Sequence, residues 1–178
     1  RELAPQEPNT LFLVGDGHQR IYASPIRMSA CGIEIRGRSR RLKLNYRTTE
    51  QIGRQAIAIL EGHEIDDLDG GVDTLKGLFA LRHGPVPVIE NFAREADEAA
   101  MVLETVRRWV AEVPAESICL AVRTRAAIRD RYQPLLQNAG FETTVVERDP
   151  ESEASMPGVR LATMHRLKGL EFSRVLLV

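Results

Sequence analysis

The chain is short of cysteine, aromatic residues and lysine, and each shortage closes off a class of protein. Two cysteines, Cys31 and Cys119, cannot build the disulfide framework of a small secreted domain. They fit a reducing, cytoplasmic setting instead. Aromatics are 5% of the residues, so any core must be aliphatic. A formal charge of -1 gives no overall pull toward nucleic acid or membrane, and any basic function must be local. No apolar run approaches the roughly 18–20 residues of a membrane span, and no signal peptide is visible. Lysine never follows glycine, so the G-x-x-x-x-G-K-[ST] phosphate loop is missing. No D-E-x-Q string occurs either. A nucleoside triphosphatase needs a phosphate cradle and a magnesium-binding carboxylate. The chain is therefore expected not to hydrolyse ATP alone, and no metal site is expected within it.

What is present is a sheet-forming pattern. At 178 residues and 43% apolar, the sequence suffices for one domain, or one and a piece of another. Short apolar runs at 9–16, 85–92, 117–124, 141–147, 159–165 and 173–178 read as strands, and Leu42, Leu44 and Tyr46 alternate like another. Helices are predicted over 48–62, 94–112 and 125–140. Thr48 and Gln51 form a capping-box pattern at the start of the first, with Ile52, Ala56, Ile59 and Leu60 as its apolar stripe. Pro134 is expected to kink or split the third. Residues 63–85 read as an irregular acidic excursion, and 148–158 as an acidic linker. A short helix is predicted between the last two strands. Apolar strands alternating with amphipathic helices predict an α/β fold, a three-layer, mostly parallel sheet flanked by helices. Ligands of such sheets sit beyond the carboxyl ends of the strands, where the loops after Val14, Val122 and Met164 are expected.

Three polar segments carry candidate chemistry. In "GDGHQRIY" (15–22), Asp16 and Gln19 follow a strand. Gln19, both donor and acceptor, suits holding a water or a phosphate oxygen, and an ordinary surface loop accounts for it equally. In "NYRTTEQI" (45–52), Arg47 precedes a helix start, where a guanidinium fork suits phosphate. A strand-end arginine bonded to nearby carbonyls is the plainer reading. In "LATMHRLKGLEFSRVLLV" (161–178), Thr163, His165, Lys168, Gly169 and Glu171 crowd beside a sheet edge. Glycine permits close backbone approach, and a carboxylate can accept from a sugar hydroxyl. The run "RGRSRRLK" (36–43) fits either phosphate contact or a solvated hinge.

In this order, "LFLVGDGHQRIY", "LKLNYRTTEQI" and "VRLATMHRLKGLEFSRVLLV" resemble motifs III, IV and V of the UvrD/Rep family of superfamily 1 DNA helicases. The resemblance implies the family's second RecA-like domain, 2A, a P-loop NTPase fold without its own P-loop. It implies residues 1–25 as the tail of domain 1A, 26–44 as a hinge, and 45–178 as 2A, truncated after motif V. It further implies an ATP-dependent helicase in which this chain forms the second wall of the ATP cleft. Magnesium ligands would lie outside the chain, and domain 1A of the same polypeptide would be its partner. Asp16 and Gln19 would then be the catalytic motif III pair, with Gln19 near the γ-phosphate and its attacking water, and Arg47 would reach that phosphate across the cleft. Gly169 and Glu171 would lie by the nucleotide, with Glu171 at the ribose. Tyr22, Thr163, His165 and Lys168 would contact single-stranded DNA or the junction between single and double strands. Where the family carries Trp or Phe after the motif III tyrosine, this chain has Ser24 and then Pro25. Where the family inserts its 2B domain, only "RDPESEASMPG" stands. Motif VI would follow residue 178. A non-catalytic binding module derived from such a domain is the alternative.

Overall fold

The structure is a computed structural model that describes residues 11–15, 28–33, 35, 37–40, 42, 44–63, 65–66, 72–73, 79–147 and 156–178. The chain is α/β, with parallel sheets flanked by helices. It divides into two compact units, Arg1–Ile89 and Glu90–Val178.

The second unit is organised around one strand whose sequence leaves no polar face. β5, Ile118–Val122, reads ICLAV and is buried at all five positions, as expected of a strand covered on both sides. It pairs in parallel with β7 (Val159–Thr163) on one side and β8 (Arg174–Leu177) on the other; β6 (Thr143–Val145) adds outside β7. The order is β6-β7-β5-β8. Alternation sends Ile118, Leu120 and Val122 to one face. There they meet Val102 and Val106 of α2 (Glu95–Val110), and Ile128, Tyr132 and Leu136. Thr105 is also buried in α2.

Those last three core residues come from α3 (Arg125–Ala127), a π turn (Ile128–Tyr132) and α4 (Gln133–Asn138), which follow one another directly. Thr124 caps the start, its Oγ1 accepting from Ala127 N–H. The break expected at Pro134 takes the form of the π turn. Proline lacks an N–H, and its ring crowds the carbonyl four residues back. The wider winding, closed by Gln133 N–H on the Ile128 carbonyl, relieves both. Gly140, at φ 88°, ends the helix as predicted.

Cys119 and Ala162 point to the other face with Val146, where Leu167, Leu170 and Phe172 pack on them. These three come from the connection between β7 and β8. That connection is a series of turns, not the short helix expected. Among the described residues of this unit, the turns stand where a second helical layer was expected. Burial pushes the Cys119 thiol up to about 12, so it is a neutral core group.

Tyr132 is buried and donates its hydroxyl to Glu98, which also pairs with Arg131 at 3.3 Å. Burial first, and then the bond to Glu98, push the phenol up to about 12 from 10.0. A native value raised this way stabilises the fold fully below the unfolded value, and the benefit is lost as pH rises through the folded one. Stability is therefore expected to fall between pH 10 and 12. Tyr132→Phe should remove the tyrosine's share of that fall and cost about 1 kcal/mol at neutral pH. Urea melts of both proteins at pH 8 and 11 test this. An equal pH dependence would remove Tyr132 from the account.

Arg160 sits mid-strand in β7, only 5% exposed. Its guanidinium donates to the carbonyls of Met156 (2.7 Å) and Gly158 (3.1 Å). Thr144 Oγ1 donates to Pro157 O at 2.7 Å, and Val159 N–H to Glu142 O at 2.9 Å. The entry to β7 is thus tied down from both sides, at Gly158 with φ 95°.

In the first unit, β1 (Leu44–Thr49), α1 (Glu50–Leu60) and β4 (Phe79–Arg82) form a parallel strand–helix–strand element. A short antiparallel pair, β2 (Ile65–Asp66) and β3 (Val72–Asp73), lies between in sequence. The strand expected at 85–92 is absent; β4 lies just ahead, inside the stretch read as irregular. Pro85 and Pro87 remove the N–H groups a ladder needs. Thr49, not Thr48, caps α1 by accepting from Ile52 N–H, and Gln51 accepts from Gly84 N–H instead. The stripe of Ile52, Ala56 and Ile59 is exposed, since a two-stranded sheet is too narrow to cover it. Residues 11–15 form no strand, and Phe12 and Val14 are exposed. No described strand pairs with them, and an apolar run without a ladder partner leaves its backbone to water.

Candidate functional site

Two places hold one predicted residue each, Arg47 and Thr163. The first is the start of α1. Asn45 Oδ1 accepts from the backbone N–H groups of Arg47 (2.9 Å) and Thr48 (3.2 Å), and its Nδ2 donates to Thr48 Oγ1 at 2.7 Å. The asparagine thus folds the strand end into a local turn. The ladder to β4 is irregular between Asn45 and Thr49 for that reason. Arg47 stands exposed on this irregular segment, three residues ahead of α1. Glu50 is engaged by Arg54 and, at 3.0 Å, by His83 Nδ1.

The second is the carboxyl edge of the second unit's sheet. A cleft of about 350 Å³ opens there, lined by Arg125, Ile128, Arg129, Gln133, Val145, Val146, Glu147, Thr163 and Arg166. β5 ends at Val122 and delivers Arg125 through Thr124. β7 ends at Thr163 and delivers Arg166 in the following turn, whose N–H bonds the Thr163 carbonyl at 2.8 Å. The loops after β5 and β7 therefore meet at one edge, as anticipated for such a sheet. Thr163 shares the helix-covered face with Val159 and Leu161 and is 8% exposed. Arg129 pairs with Asp130 at 2.6 Å, and this bond holds the Asp130 carboxyl below its usual range. Both side chains are in water, where such a pair contributes little.

His165, Lys168, Gly169 and Glu171 do not line this cleft. They are the exposed positions of the turn whose Leu167, Leu170 and Phe172 are its apolar feet. The string HRLKGLEF thus alternates anchor and polar group, and Gly169 takes φ 90°. Of the predicted site residues that the structure describes, only Thr163 belongs to the cleft. Asp16, Gln19 and Tyr22 lie outside the described residues, as do Arg36, Arg41 and Lys43. Arg125, Arg129, Gln133 and Arg166 were missed by sequence reasoning. Arginines one helical turn apart, directly after a strand end, were the available signal. Among the described residues no group of three or more His, Cys, Asp or Glu could hold a metal ion. No metal-dependent step is assigned to them. No described helix is long and apolar enough to cross a membrane. No protein-family model, curated protein or solved structure matches the chain.

Proposed function

We propose that the chain is part of an ATP-dependent DNA helicase or translocase, in which it forms the second wall of the ATP cleft and part of the track for single-stranded DNA. The observation that carries this reading is the basic cleft at the carboxyl edge, where Thr163 opens the motif V-like segment between Arg125 and Arg166. Arginines fit the phosphates of a strand. The parallel α/β sheet without a phosphate loop suits a RecA-like second domain. Such a wall contributes charge to a nucleotide held elsewhere.

The proposed cycle uses Arg47 on the γ-phosphate, where positive charge stabilises phosphoryl transfer. Glu171 accepts from the ribose, with Gly169 beside it, and Asp16 and Gln19 order the attacking water. Tyr22, Thr163, His165 and Lys168 hold the strand or the junction. Domain 1A supplies the phosphate loop and the magnesium ligands. The turn carrying His165 is bolted to the central strands through Leu167, Leu170 and Phe172, which gives it the stiffness to transmit a nucleotide-driven shift. A cytoplasmic setting suits this work.

The test is ATP hydrolysis by the complete polypeptide with and without single-stranded DNA. His165→Ala is expected to lower DNA stimulation about tenfold while leaving basal turnover and nucleotide affinity unchanged. Equal losses of basal and stimulated turnover would refute the coupling role. A second reading, a binding module without turnover, is favoured by one observation: the described lining of the cleft comes from the second unit and does not include Arg47. Strand binding with no ATP hydrolysis by the complete polypeptide would select it.

A further inference from the structure

We infer that the cleft beside Thr163 seats one whole nucleotide unit, phosphate and base together, and prefers adenine. This rests on the strand-binding part of the function proposed above, and adds to it a specificity determinant, Gln133.

The argument starts with Thr163. It is more than nine-tenths buried, it lines the cleft, and its hydroxyl has no hydrogen-bond partner among the described residues. Buried hydroxyls are ordinarily satisfied, so this one is a vacant donor at the floor of a concave site. Arg125 and Arg166 line the same space, and neither pairs with a carboxylate among the described residues. A hydroxyl and two guanidinium groups converging on one space suit a phosphate.

The rest of the lining does not suit a bare anion. Ile128 and Val145 give an aliphatic wall, and Gln133 stands on the helix side with its amide uncommitted among the described residues. A flat apolar ring fits that wall, and an amide with one donor and one acceptor fits the ring's polar edge. Glutamine matches adenine in this bidentate manner. At about 350 Å³ the cleft lies near the lower end of small-ligand pockets. That is room for one unit and not for a stacked pair. No described aromatic residue lines it, so among the described residues the base is held by packing and edge contacts, unlike a stacking platform.

The unit could come from a strand or from a free nucleotide, and the test separates them. Anisotropy titrations with the complete chain would use labelled oligo-dA, oligo-dT and an abasic oligonucleotide of equal length. Adenosine 5′-monophosphate and inorganic phosphate would be competitors. Oligo-dA is expected to bind about tenfold tighter than oligo-dT. Gln133→Leu should bring the two together without weakening oligo-dT. Thr163→Val, which keeps the shape and removes the hydroxyl, should weaken all three oligonucleotides alike, and Arg166→Gln should do the same. Thermal melts of each variant establish that it is folded. Equal binding of oligo-dA, oligo-dT and the abasic strand, unchanged by Gln133→Leu, overturns the nucleotide seat and leaves strand binding standing. Tight adenosine monophosphate binding without oligonucleotide binding keeps the seat and removes the strand track. Binding of inorganic phosphate alone overturns both.

Discussion

Gly158→Ala is expected to destabilise the second unit by about 4 kcal/mol, enough to leave much of it unfolded. Two costs add. At φ 95° an L side chain is strained whatever the space around it. The space is also missing: a Cβ would meet the carbonyl carbon and oxygen of Glu142 at 2.4 Å and the Thr143 nitrogen at 2.8 Å. These are backbone atoms of the segment leading into β6, so relief requires the β6–β7 ladder to open. The Val159 N–H bond to Glu142 O and the Thr144 bond to Pro157 O would go with it. Gly140→Ala is the control. It shares a positive φ of 88°, but nothing lies within 4 Å of its Cβ, so it should cost only about 1 kcal/mol. Urea melts followed by far-UV circular dichroism compare the two. Similar losses in both variants would show that conformational strain, not the contact with Glu142, sets the cost.

Arg47→Ala is expected to lower ATP turnover of the complete polypeptide about 10³-fold, with unchanged melting. The size follows from what a guanidinium does at a γ-phosphate: it neutralises charge that grows in the transition state, where water is excluded. The unchanged stability follows from the side chain's exposure in the structure. Lysine keeps the charge but not the planar fork, so Arg47→Lys should recover only part of the rate. Steady-state turnover at saturating ATP, with nucleotide affinity measured separately, distinguishes a transition-state contact from ground-state binding. Normal turnover in Arg47→Ala would remove this residue from the site and with it the cleft-wall reading.

The sequence declared its fold most clearly where burial is greatest. ICLAV has no polar position and VRLAT only Arg160 and Thr163, and the two strands proved to be the paired centre of the sheet. The same signal misled at Leu11–Val14 and at 85–92, because apolar content measures a wish for cover and says nothing of whether a neighbouring strand is there to provide the ladder. The α1 stripe failed for a related reason. An amphipathic pattern names the face a helix offers, while the sheet beneath decides how much of it is covered. Thr163 was legible as a candidate because glycine, histidine and acid cluster after it, and it lines the cleft. Its neighbours in the cleft were not, because Arg125, Arg129 and Gln133 are ordinary helix-surface residues until the fold brings them to the edge where β7 ends. Leu167, Leu170 and Phe172 were hidden among the polar residues of the same motif, since their alternation matches neither a helix nor a strand.

The π turn has a geometric consequence for that edge. A turn wound one residue wide acts as a phase step: residues ahead of it are rotated by about 100° from where an unbroken helix would carry them. Arg125 precedes the step and Gln133 follows it, so the step sets how the two are phased around the helix, and it exists because Pro134 cannot donate a proton. A residue that lines no part of the cleft therefore sets the angle between two residues that do.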